Sequence, residues 1–157
     1  MRIKEICSRV VIVAEPQTDL REAARMMRDH HVGALIVIDM CDGATRPIGI
    51  VTDRDIVVAV VADADVRPES LTLRDLMSGE LALARETDGV FEAVDTMQDS
   101  GARRLPVVDA EGRLVGMLSL DDVLRMLASE LTALALASQR SIAREARARP
   151  PLASGAA

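Results

Sequence analysis

The sequence predicts an α+β fold made of two copies of one strand, helix, strand, strand, helix unit. Three observations carry this. Gly49-Ile50-Val51-Thr52-Asp53-Arg54-Asp55-Ile56 is echoed by Gly116-Met117-Leu118-Ser119-Leu120-Asp121-Asp122-Val123. A shift of 70 residues lays Glu22-Ala23 on Glu92-Ala93, Met27 on Met97, Asp29 on Asp99, Leu35 on Leu105, Val37 on Val107 and Asp39 on Asp109. Short apolar runs alternate with helical spacing in the same order in both copies.

Each element has its own signal. Val10 to Val13, and Leu81 to Leu83 in the second copy, are apolar runs suited to a buried strand. Leu20, Ala23, Ala24 and Met27 recur at helical spacing from Leu20 to His30, and Asp19 with Glu22 has capping-box spacing. Val90 to Ser100 repeats that helix. Ala34 to Ile38 with Ile48 to Val51, and Leu105 to Val108 with Leu114 to Leu118, read as strand pairs joined by hairpin loops. The first loop is the longer, eight residues (Met40 to Pro47) against five (Ala110 to Leu114), and a polar loop tolerates such a difference. A helix opens at Thr52 and again at Ser119. Neither unit can bury its sheet alone, so the prediction is two repeats packed sheet against sheet, with helices outside.

The domain reading is a first repeat over residues 1–66, a second over 67–127, a helical extension over 128–149 and a disordered tail over 150–157. Asp63 to Thr72 reads as a linker, and Leu73 to Met77 mirrors Ile3 to Cys7 as a short lead-in helix. Leu131, Leu134 and Ile142 lie at spaced positions in the extension, which Pro150 and Pro151 should stop. Met26, Met27 and Met97 read as core or dimer-face residues.

Composition excludes several functions. The 157-residue chain has a net charge of -6, which repels nucleic-acid phosphate on average, and Phe91 is its sole aromatic residue, so it has no base-stacking platform. No nucleic-acid partner is expected. The apolar runs fall far short of the roughly 20 residues a membrane-spanning helix needs, and no signal peptide is evident near Met1. The expectation is a soluble cytoplasmic protein without a membrane partner. Cys7 and Cys41 give no disulfide framework. His30-His31 ends a helix, where imidazole can satisfy terminal carbonyls, and no metal site is assigned.

The doubled unit, the Arg103-Arg104-Leu105-Pro106-Val107-Val108-Asp109 strand entry and the Gly-apolar-x-Thr/Ser-x-x-Asp ending resemble a tandem pair of cystathionine-β-synthase (CBS) domains. The resemblance covers about Ile3 to Leu127, and Thr52-Asp53-Arg54-Asp55-Ile56-Val57 is similar to small stand-alone bacterial members. It implies a pseudo-twofold pair with two clefts between repeats, a homodimer, and adenosine-containing ligands in the clefts. At the position of the family's second-strand proline, the chain has Pro106 in one copy and Ile36 in the other.

Residue chemistry then assigns roles. Thr52 and Ser119, each at a helix start beside unpaired N-H groups, suit a phosphate oxygen. Asp55 and Asp122 can accept hydrogen bonds from vicinal ribose hydroxyls. Arg54, Arg103 and Arg104 can neutralise a phosphate chain with guanidinium forks. Arg54 corresponds to Asp121, and Arg103-Arg104 to Gly33-Ala34, so the clefts should be unequal. Val13, Ile36, Leu83 and Pro106 are candidate aliphatic walls for a base. Thr-x-x-Asp is equally a helix capping box, as at Thr72 and Asp75, and the two roles can coexist.

The leading function is a non-catalytic regulatory module sensing AMP, ATP, NAD(H) or S-adenosylmethionine, with no required cofactor. The alternative is a ligand-free dimeric scaffold whose terminal helix docks an unidentified protein partner. No Ser/His/Asp arrangement supports an enzyme.

Overall fold

The computed structural model describes residues 1–41, 43–62, 65–77 and 80–148. Pro150, Pro151 and the tail Leu152 to Ala157, read above as a helix stop and a disordered end, lie outside the described residues. Residues 1–120 form one compact unit, and the chain from Asp121 onward forms a second. The first repeat contributes β1 (Val13–Ala14), α1 (Leu20–His30), β2 (Ala34–Cys41), β3 (Ala44–Thr52) and α2 (Asp53–Val61). After a short helix α3 (Leu73–Leu76), the second repeat gives β4 (Ala84–Arg85), α4 (Val90–Ser100), β5 (Arg104–Val108) and β6 (Leu114–Ser119). Helix α5 (Leu120–Ala148) starts in the first unit and makes up the described part of the second.

Each repeat is a three-stranded sheet of mixed direction. β1 pairs parallel with β2, which pairs antiparallel with β3, and β4, β5 and β6 repeat the order. The α+β expectation holds. The expected first strands are displaced, because Val13 pairs with Ile36 close to the start of β2, so the chain before it soon runs out of a neighbour. Val10 is accordingly exposed. In the second repeat the residues just before Ala84 face Pro106, which has no N-H to extend the ladder. The expected loop Met40 to Pro47 is mostly strand, since β2 runs to Cys41 and β3 starts at Ala44. A bulge falls between Val37 and Ile38, and an equivalent one between Val107 and Val108, and each leaves the residue before the repeated glycine, Ile48 or Val115, without a register partner.

Helix ends follow the sequence closely. Asp19 caps α1 by accepting from Glu22 N-H at 2.8 Å, and Leu20, Ala23 and Met27 turn inward. His31 stops the helix in the left-handed region at φ 54°, where the second copy has Gly101 at φ 68°. Val32 N-H then bonds back to the Met27 carbonyl at 2.9 Å, closing the turn.

The lead-in segments are exchanged between repeats. Ile3 is fully buried, with its N-H on the Asp88 carbonyl at 3.0 Å, and Ser8 and Met117 exchange two backbone hydrogen bonds at 2.9 Å each. Residues 2–8 therefore dock on the second repeat. Conversely, Leu73 N-H bonds the Thr18 carbonyl, Arg74 N-H bonds the Pro16 carbonyl, and Leu73 is buried with Leu20, Leu35, Val37 and Val51. The sequence repeats are thus not the packing units: each core is closed by a plug from the other's lead-in.

The octapeptide glycine marks where each plug lies. A Cβ on Gly116 would stand 2.6 Å from the Ser8 carbonyl oxygen and 3.2 Å from Cys7 Sγ. One on Gly49 would stand 2.7 Å from Met77 Sδ and 2.9 Å from Met77 Cβ. Both distances exclude a side chain without movement, but Met77 is a flexible side chain and Ser8 presents backbone.

Two outcomes follow from the plugs. Gly116→Ala should destabilise by about 1–3 kcal/mol, as overpacking does, and by more than Gly49→Ala; equal melting temperatures for wild type and Gly116→Ala would show that the approach is not tight. The second concerns α3, where Asp75 Oδ2 accepts from Thr72 N-H and Thr72 Oγ1, both at 2.8 Å. Those bonds, the backbone one foremost, hold the Asp75 carboxyl below its ordinary range. Its stabilisation is therefore complete above the unfolded value of about 4 and is lost as pH falls through the lower folded value. Melting curves between about pH 6 and 2.5 should show a shallower acid limb for Asp75→Asn than for wild type.

Candidate functional site

One cavity of about 550 Å³ gathers residues from both repeats within the first unit. Thr52, Asp53, Arg54 and Asp55 come from the junction of β3 and α2, with Ile50 behind them. Glu80, Leu81 and Ala82 precede β4, and Ser100 to Arg104 join α4 to β5. Five of the eight residues assigned from sequence meet here: Thr52, Arg54, Asp55, Arg103 and Arg104. All three arginines therefore stand on one cavity, although two belong to the second repeat.

The start of α2 is more fully satisfied than the sequence suggested. Asp55 Oδ2 accepts from Thr52 N-H at 2.8 Å and from Thr52 Oγ1 at 2.7 Å, while Asp55 N-H reaches Thr52 Oγ1 at 3.3 Å. Asp53 N-H donates to the Gly33 carbonyl at 3.2 Å, and Arg54 N-H to Asp53 Oδ1 at 2.8 Å. These four N-H groups are the ones a helix start leaves orphaned. The expectation of unpaired N-H groups beside Thr52 is corrected: the cap has used them, along with the Thr52 hydroxyl proton.

What remains open are side chains. None of Arg54, Arg103 and Arg104 has a hydrogen-bonded or ion-paired side-chain partner among the described residues. Asp55 Oδ1 likewise has no partner among them. Asp53, Asp55 and Glu80 balance the three arginines in number, so the cavity offers both cations and acceptors. Gly33 lies beside two of the lining residues: a Cβ there would be 3.3 Å from Asp53 Oδ2 and 3.7 Å from an Arg104 terminal nitrogen. The two carboxylate-bearing and guanidinium-bearing walls thus approach over a residue with no side chain.

The other assigned residues lie elsewhere. Pro106 is fully buried in β5, paired with Met117, and does not line the cavity. Ser119 ends β6, and Asp122 on α5 forms an ion pair with Arg125 at 2.8 Å. Asp122 therefore has a cation from its own helix, unlike Asp55. Leu120 N-H bonds the Arg103 carbonyl at 2.9 Å, the counterpart of the bond from Asp53 to Gly33.

The sequence reading missed Glu80, Leu81, Ala82 and the Ser100-Gly101-Ala102 turn. Their signal was available in Pro106. In the first repeat Ile36 N-H donates to the Ile12 carbonyl at 3.1 Å. Ile36 corresponds to Pro106 and Ile12 to Ala82, and proline has no N-H to give. The Ala82 carbonyl accordingly has no hydrogen-bond partner among the described residues.

Comparison with known proteins agrees with this architecture. The CBS domain family model matches residues 3–62 and 73–129. An uncharacterised protein of Methanopyrus kandleri is 37% identical over 124 residues, covering 79% of this chain and 61% of that protein, so the chain spans less than two thirds of it. Hypoxic response protein 1 of Mycobacterium tuberculosis is 35% identical over 118 residues, 75% of this chain and 78% of that one. Among solved structures, the CBS domain pair of protein MJ0100 in complex with 5'-methylthioadenosine and S-adenosyl-L-methionine aligns with a TM-score of 0.71 at 25% identity, covering 83% of this chain and 98% of that one. With the family model matched twice and in order, over most of its length, the chain belongs to the CBS domain family as a tandem pair.

Proposed function

We propose that the cavity binds an adenosine nucleotide and that the module is regulatory, with occupancy read as a change in how the two repeats are held. The observation that carries this is the convergence, in one cavity of about 550 Å³, a volume in the range of small-molecule sites, of three guanidinium groups and one Asp55 oxygen that have no partner among the described residues. The ligand pair of MJ0100 supports the adenosine part. Chemistry adjusts the rest. Arg54, Arg103 and Arg104 favour phosphates over the cationic sulfonium of S-adenosylmethionine, so AMP, ATP or NAD(H) fits better.

The division of labour follows from charge. Arginine side chains take the phosphates, because the N-H groups of α2 are already bonded; the positive end of its dipole still favours the same sign of ligand. Asp55 Oδ1 accepts from ribose hydroxyls. The Ala82 carbonyl accepts from the purine amino group, between the aliphatic side chains of Ile50 and Leu81. Neither hydroxyl of the cavity, Thr52 or Ser100, has an imidazole among its lining neighbours, which favours sensing over turnover.

A ligand held this way bridges the repeats. Thr52 to Asp55 stand where β3 meets α2 in the first repeat and Arg103 and Arg104 at the entry to β5 in the second, so binding favours the spacing that lets both walls reach it. The arginines serve as the recognition element and the sheets as the moving parts.

Calorimetric titration tests the assignment. Arg103→Gln with Arg104→Gln should weaken ATP by at least about tenfold, the value of one charged hydrogen bond at the lower end of 1.5–3 kcal/mol, while adenosine changes little. Asp55→Asn, which keeps a cap acceptor, should weaken both. Failure of every adenosine compound to give heat at millimolar concentration would sink the proposal and leave the scaffold reading. In a separate arm, Pro106→Ala restores an N-H opposite the Ala82 carbonyl. Adenine nucleotides should then bind less well by about tenfold, the value of roughly one neutral hydrogen bond, and unchanged affinity would remove Ala82 from the site.

A further inference from the structure

Beyond Asp121, α5 has a seam that no cavity uses. Leu124, Leu127, Leu131 and Leu134 follow at intervals of three, four and three residues, the a and d spacing of a heptad. Leu124, Leu131 and Leu134 are 54%, 67% and 65% exposed. From 128 to 148 every residue whose side chain is described is exposed. Helices in water owe most of their stability to packing of an apolar face, and this one turns its leucines outward.

We propose that the seam pairs with the same seam of a second copy of the chain, as a parallel coiled coil in register. Identical knobs at both a and d match identical holes, which is self-complementarity without any further surface. The flanks allow close approach: Ala128 and Ala135 stand at e positions and Ala137 at a g position. Outside lie Arg125, Thr132 and Gln139, polar residues at b. The continuation at a and d is Ser138 and Ser141, small enough to let the helices stay in contact past the last leucine.

Charge selects the direction. An antiparallel overlay of the four leucines would set Glu130 beside the partner's Glu130, two like charges on one side of the seam. In the parallel pair the g position Glu130 lies next to the partner's Ala135 instead. Two sets of four leucines with their alanine flanks remove on the order of 1,000 Å² from water, the lower bound for a specific interface. This pairing is independent of the ligand reading.

The test is a pair of cysteine substitutions in the full-length Cys7→Ser, Cys41→Ser chain. Ser138→Cys, at an a position, should give a covalent dimer under mild oxidation. Gln139→Cys, one residue round the helix, should give about tenfold less, because Cβ atoms must come within about 4.5 Å for a disulfide. Adding Leu131→Glu and Leu134→Glu to Ser138→Cys should abolish the cross-link, while an unchanged melting transition shows that the repeats still fold. Equal cross-linking at both positions, none at Ser138, or persistence after the leucine substitutions overturns the proposal. The same holds if the full chain is monomeric by sedimentation and its seam is covered only by another protein.

Discussion

The exchanged lead-ins are the constraint on which the rest depends. Ile3 and Leu73 are fully buried, each tied by backbone hydrogen bonds to the repeat it does not precede. Such a plug leaves little room at the strand it crosses, and glycine admits the Ser8 backbone at Gly116 and the Met77 side chain at Gly49. The repeated octapeptide therefore begins with glycine for packing, independently of its hydroxyl and acid. Because each core needs the other's lead-in, the two repeats are held together by the exchange. The cavity exists because that arrangement puts the end of β3 opposite the start of β5.

Within that frame the helix cap and the cavity lining share residues. Thr52 and Asp55 satisfy α2 first, and one carboxylate oxygen is left over. A cap that also meets a ligand is held rigid by its own bonds, so its remaining oxygen is positioned before anything arrives. The arginines are the opposite case. With no acid partner among the described residues they are available to a ligand, and the entropy of ordering them falls on binding.

Much of this was legible in the sequence, for identifiable reasons. α1 and α4 were read to the residue because Asp19, His31 and Gly101 are strong boundary signals. The duplication fixed the order of strands. The first strands were misplaced because an apolar run marks burial and does not say where a neighbouring strand begins. The loop at Met40 to Pro47 was overextended because a polar stretch of unequal length in the two copies reads as a loop, whereas the strands pair through most of it, with Pro47 beside a bulge that tolerates it. Sequence spacing likewise suggested orphan N-H groups at Thr52, and only the contact with Gly33 showed that one is taken by the turn before β2. Arg54, Arg103 and Arg104 were singled out one by one as basic groups, and that they line one cavity depends on how the repeats face each other.

Arg103 ties two parts of the molecule together. Its guanidinium lines the cavity, and its carbonyl accepts the N-H of Leu120, the first residue of α5. The residue that faces the cavity is thus one backbone hydrogen bond from the N-H that opens the longest helix.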